Sequence, residues 1–160
     1  MAAHVLVLAN RTAAAPELIQ ALLHRSERGP IHATLVMPAG PGRAERAAAD
    51  ERLNAALDAW RAAGIERCDG VVCDPVPFEA LSEVWDPLRH DEVIVSTLPG
   101  QSSTWIRGDL PRAVARFTGV HVQHVVANDP DDTPPLSPAP VRERAPLGPL
   151  SVLAWGGRRG

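Results

Sequence analysis

The residues best equipped for chemistry gather in one stretch, 91–109, which reads DEVIVSTLPGQSSTWIRGD. Ser96, Thr97, Ser102, Ser103 and Thr104 supply hydroxyls, and Gly100 and Gly108 let backbone approach a ligand closely. A short apolar run, Val93 to Val95, precedes them as a buried strand, and a helix follows to about Phe117. Asp109 before Pro111 reads as that helix's start, with its carboxylate accepting free backbone N–H groups. A strand, a small-residue loop and a helix end together present N–H and O–H donors beside a positive dipole, the setting that holds a phosphate. A second set, Asn10, Arg11 and Thr12, follows the first apolar run. It offers an amide for a base or ribose and a guanidinium for phosphate. The same two sets would equally serve an internal hydrogen-bond network with no ligand.

Other candidate groups argue against catalysis. His121 and His124 are three apart, which on a strand points the rings to opposite faces and prevents chelation of one ion. His4, His24, His32 and His90 fall on different elements, so no metal site is expected. Cys68 and Cys73 do not match a redox pair, and their odd offset places them on opposite faces of a strand as reduced thiols. Asp69 and Asp74 read as turn residues. No GxSxG, HExxH or Walker pattern occurs, and Ser96 lacks the flanking glycines of a nucleophile elbow. The expectation is a binding protein without catalytic residues.

The elements that must carry these residues follow from periodicity. Val5 to Ala9 is a first buried strand, and Ala14 to Arg25 a helix with Leu18, Ala21 and Leu22 on one side. Ile31 to Met37 is a second strand. Arg43 to Ala63 is the longest helix, with a stripe of Leu53, Ala56, Leu57 and Trp60, and Gly64 stops it. Glu45, Arg46, Asp50, Glu51 and Arg52 form its solvated side. Cys68 to Cys73 is a third strand, weakened by Asp69 and Gly70, and Phe78 to Leu88 a third helix with Phe78, Leu81, Val84 and Trp85 inward. Val120 to Val126 is a fifth strand. Alternating strands and helices imply an α/β fold, a doubly wound parallel sheet with helices on both faces.

Length and charge bound the rest. The 160 residues suit one domain, and 45% hydrophobic with 22% charged residues is a globular composition. A net charge of −3 weighs against nucleic acid. The opening MAAHVLVLAN lacks a signal peptide's pattern, and no run is long enough for a bilayer, so a cytoplasmic protein without membrane contact is expected. Composition changes at Asn128. Residues 1–128 form the α/β domain, and 129–160 a Pro-rich C-terminal tail with seven prolines between Asp129 and Pro149. The apolar end of the tail, Leu150 to Trp155, is a candidate contact for a protein partner.

From residue 4 to 127 the chain resembles the universal stress protein family, of the adenine nucleotide alpha-hydrolase-like fold. VLVLANRT, the element order, VIVSTLPGQSSTWIRGDLPRAVARF and VHVQHVV carry the resemblance. It implies five parallel strands in the order 3-2-1-4-5, a Rossmann-like architecture, a role in stress response and a homodimer through the last strand. Nucleotide-binding members carry Asp-Gly-Ser after the first strand and G-x2-G-x9-G-[ST] after the fourth. Here Asn10, Arg11 and Thr12 replace the first motif, and of the second only Gly100 and Gly108 remain, with Asp109 at the Ser/Thr place. The resemblance therefore implies a site of Asn10, Arg11, Thr12, Ser96, Thr97, Gly100, Ser102, Ser103 and Gly108 with degenerate, weak binding of ATP, ADP or AMP and no hydrolysis. The alternatives are a ligand-free protein-interaction domain and an adenylyl-handling hydrolase or transferase of the same fold.

Overall fold

The computed structural model describes residues 2–73, 75–99 and 109–130. Nine elements alternate along them: β1 Ala3–Leu8, α1 Pro16–Ser26, β2 Ile31–Pro38, α2 Arg43–Ala63, β3 Cys68–Cys73, α3 Pro77–Val84, β4 Glu92–Thr97, α4 Leu110–Thr118 and β5 Val122–Val126. All four pairings are parallel and the strand order is β3-β2-β1-β4-β5. The doubly wound α/β fold and its order are those expected from the sequence.

Burial explains why each strand carries its residues. β1 has a neighbour on both sides and helices over both faces, so Val5, Leu6, Val7, Leu8 and Ala9 are all fully buried and an unbroken apolar run is required. Val5, Val7, Leu35 and Met37 pack with α1 and α2, including Leu18, Leu22, Leu53 and Trp60. Leu6, Leu8, Val36, Val93 and Val95 pack on the other face with Ala80 and Leu81 of α3 and with Leu110 and Val114 of α4. Cys68 and Cys73 join opposite packing layers. β5 lies at the sheet edge, where Val126 is 48% exposed.

The helices follow the expected stripes with three corrections. α2 runs as read, its stripe closing on Ala49, Leu53, Ala56, Leu57 and Trp60, and Gly64 ends it at φ 114 where only glycine sits without strain. Gly70, a weak strand residue, is needed in β3. A Cβ there would lie 2.7 Å from the Leu53 side chain and 3.0 Å from the Leu35 carbonyl. α3, expected to reach Leu88, ends at Val84, with Trp85 extended as its C-cap. Pro87 disfavours helical backbone at Asp86 and stops it. The freed stretch becomes a turn that leaves Leu88 94% exposed, in which His90 Nδ1 accepts the Asp86 N–H at 3.0 Å. Asp109 does begin α4, but its carboxylate caps no N–H. The residue adopts φ 53, which turns the side chain toward Arg112 Nε at 3.4 Å. The third correction concerns the outer side of α2, where Arg52 is not solvated as expected.

Candidate functional site

Register brings the two polar sets together. Leu8 of β1 pairs with Val36 of β2 and with Val95 of β4. Asn10, two residues further, is therefore level with Pro38, and the turn beyond it is level with Ser96 and Thr97. In a doubly wound sheet this is the end where winding reverses and a crevice opens. The turn itself is pinned from below. Ala13 N–H reaches Asn10 O at 3.1 Å, Ala15 N–H reaches Thr12 O at 3.0 Å, and the buried Trp60 indole donates to Ala13 O at 2.9 Å.

At this end of the sheet the side chains answer one another. Thr12 Oγ1 and Ser96 Oγ lie 2.7 Å apart, with the two residues 2% and 1% exposed. Thr97 Oγ1 shares a 2.7 Å hydrogen bond with His124 Nε2 on β5. Asn10 Nδ2 donates to Pro38 O at 2.9 Å, while its Oδ1 accepts from an Arg52 NH1 at 2.7 Å. Arg11 Nε meets Asp129 Oδ2 at 2.6 Å, the guanidinium 58% exposed and the carboxylate 6%. Glu45, in the first turn of α2, accepts the Gly42 N–H at 3.1 Å.

Of the nine residues expected to form a site, Asn10, Arg11, Thr12, Ser96 and Thr97 converge on the carboxyl ends of β1 and β4. Gly100, Ser102, Ser103 and Gly108 lie outside the described residues. Sequence reasoning missed Arg52, His124, Asp129 and the anchoring Trp60 bond. Arg52 had a visible signal. It is three residues after Ala49 and four before Ala56, which places it on the flank of the buried stripe of α2, from where a long side chain can turn inward. Asp129 had none, because the composition change at Asn128 suggests a tail.

No group of three or more His, Cys, Asp or Glu able to hold a metal occurs among the described residues. Burial pushes the Cys68 thiol up, outweighing the opposing effect of Arg61, so this cysteine is a poor nucleophile. No described helix is long and apolar enough to cross a membrane.

The architecture defines a doubly wound α/β protein with a polar cluster at the carboxyl ends of β1 and β4, the switch point of the sheet. Among solved structures it is similar to a universal stress protein crystallised in complex with cAMP, at TM-score 0.57 and 21% identity, covering 79% of this chain and 98% of that one. The chain thus shares the universal stress protein fold. No protein-family model and no curated protein matches it.

Proposed function

We propose that the crevice is a weak nucleotide site in a small, non-catalytic regulatory protein, with Asn10, Arg11, Thr12, Ser96, Thr97, Gly100, Ser102, Ser103 and Gly108 around the ligand. One observation carries the weakness: the Thr12–Ser96 bond and the two bonds of Asn10 already satisfy the groups a nucleotide would need. Exchanging an internal hydrogen bond for one to ligand returns little, and each charge-assisted contact forgone costs about 1.5–3 kcal/mol, or roughly ten- to a hundredfold in affinity. The cAMP complex of the similar structure supports a monophosphate as ligand. ATP, ADP and AMP are therefore expected to bind comparably, at high micromolar to millimolar concentration, without hydrolysis. Calorimetric titration of the full chain tests this. Micromolar ATP affinity abolished by Ser103→Ala would contradict it.

A second reading, a ligand-free interaction domain, draws on the Arg11–Asp129 ion pair, which ties the chain leaving β5 to the turn after β1. Absence of heat with any of the three nucleotides at millimolar concentration would favour it. In either case we expect a cytoplasmic homodimer formed through β5, because an edge strand with Val126 exposed invites pairing. A concentration-independent monomer in light scattering would remove the dimer.

A further inference from the structure

The sheet has two edges, β3 and β5, and the protein treats them differently. Along a strand the N–H and C=O of a residue point to the same side, and alternate residues share that side. The carbonyls of Arg67 and Cys73 face β2, where they accept the Ala33 and Ala39 N–H groups at 3.0 and 3.2 Å. Cys68, Gly70 and Val72 therefore turn their backbone groups outward, to the free edge of β3. Two of these three outward carbonyls are already taken. Arg61 Nη2 donates to Cys68 O at 3.3 Å, and Arg46 Nη1 donates to Val72 O at 3.4 Å.

α2 is built to deliver both arginines. Arg46, Leu53 and Arg61 lie seven and eight residues apart, about two turns each, so they share one side of the helix. Leu53, in the middle, lies 2.7 Å from where a Cβ on Gly70 would stand. The missing side chain lets the helix run close over β3, and the arginines on either side of Leu53 reach the outer rim of the strand. Asp58, one turn before Arg61, lies 3.4 Å from its guanidinium. Asp69, the charged residue of β3 itself, is engaged on the face of the sheet, by Thr34 at 2.8 Å and His32 at 3.2 Å. At the other edge, His121 O accepts the Val93 N–H, so Val122, His124 and Val126 turn outward. No hydrogen bond from another described residue reaches their carbonyls.

We infer that Arg46 and Arg61 guard the β3 edge: by occupying its outward carbonyls they keep the strand from pairing with the β3 of a second copy of the chain, so that strand addition is left to β5. An unguarded edge offers its N–H and C=O groups to any extended chain. Two β3 strands related by a twofold axis would pair antiparallel. Each would have to surrender two arginine bonds, and four guanidinium groups would meet along one seam, where like charges oppose. The inference does not depend on any ligand at the carboxyl end.

Full-length wild type and Arg46→Ala/Arg61→Ala are compared by light scattering from micromolar to millimolar concentration. Both arginines are exposed and alanine favours helix, so the melting temperatures should agree within about two degrees. The double variant should reach at least about twice the wild-type mass at the highest concentration, through one added twofold contact per chain. Amide hydrogen exchange locates that contact. The N–H groups of Cys68, Gly70 and Val72 should exchange at least about tenfold more slowly in the concentrated variant than in the wild type. Should the variant melt lower, exchange still decides, because unfolding speeds every amide whereas pairing slows these three. Adding Val72→Pro removes one outward N–H without breaking the ladder to β2, and should return the mass to that of the wild type. Equal masses for wild type and double variant overturn the inference. So does a larger mass with slowed exchange at Val122, His124 and Val126 and not at β3, or one that Val72→Pro leaves unchanged.

Discussion

The two ends of the sheet carry similar polar equipment and use it differently. At the amino end, Asp91 accepts the His4 N–H and returns its own N–H to His4 O, both at 2.8 Å. Arg25 Nε closes on Glu92 Oε2 at 2.6 Å, joining the last turn of α1 to the first residue of β4. His32 and Thr34 both reach Asp69, and the His4 and His32 rings stack at 5.3 Å. Each of these bonds joins neighbouring strands or a helix to its strand. At the carboxyl end most of the bonds tie a turn to its neighbours: Asn10 to Pro38, Arg52 to Asn10, and Thr12 to Ser96. In the function proposed above the carboxyl end carries the ligand and the amino end is scaffold.

The largest effect should come from cutting the anchor under the crevice. Trp60→Ala removes a fully buried ring together with its bond to Ala13 O, and should cost about 3–5 kcal/mol in urea denaturation. Any ligand heat should disappear with it. A loss below about 1 kcal/mol would mean the turn after β1 stands unaided. Next, Glu92→Ala strands the guanidinium of Arg25 at the amino end and should cost about 1.5–3 kcal/mol. Ligand affinity should not change, and a variant that bound differently would erase the distinction between the two ends.

The smallest effect concerns pH. Burial lowers the pKa of His90 from its usual 6.5, helped by Arg89 and His4 and opposed by Asp86. Its Nδ1 must stay unprotonated to accept the Asp86 N–H. The folded form therefore binds this proton less readily than the unfolded chain. The associated stability is complete above pH 6.5 and is lost as pH falls from there toward the lower folded value. The urea midpoint should drop between pH 7.5 and 5.5, and less steeply in His90→Asn, whose amide oxygen can keep the bond. Equal slopes for the two proteins would remove His90 from the account.

Much of the scaffold was legible because periodicity encodes it. The stripe from Leu53 to Trp60 and the stop at Gly64 located α2, and the unbroken Val5–Ala9 run located a strand covered on both faces. The meeting of Asn10–Thr12 with Ser96–Thr97 followed from element order and the family resemblance, since no local pattern states which strands are neighbours. What escaped depends on reach and on backbone angles. Arg52 looked solvated because a long side chain on a stripe's flank can turn inward or outward with the same spacing. Asp109 looked like a cap because the residue type favours it, yet a carboxylate caps only from extended backbone, and its φ is 53. Asp129 looked like tail because composition says nothing about one buried carboxylate.

Backbone amide shifts followed by NMR during titration with ATP and with AMP test the division between the ends most directly. Changes confined to Asn10, Arg11, Thr12, Arg52, Ser96 and Thr97, with His4, His32, Asp69 and Asp91 unmoved, are the predicted result. Changes centred on the amino-end residues, or none at either end at millimolar ligand, would contradict it.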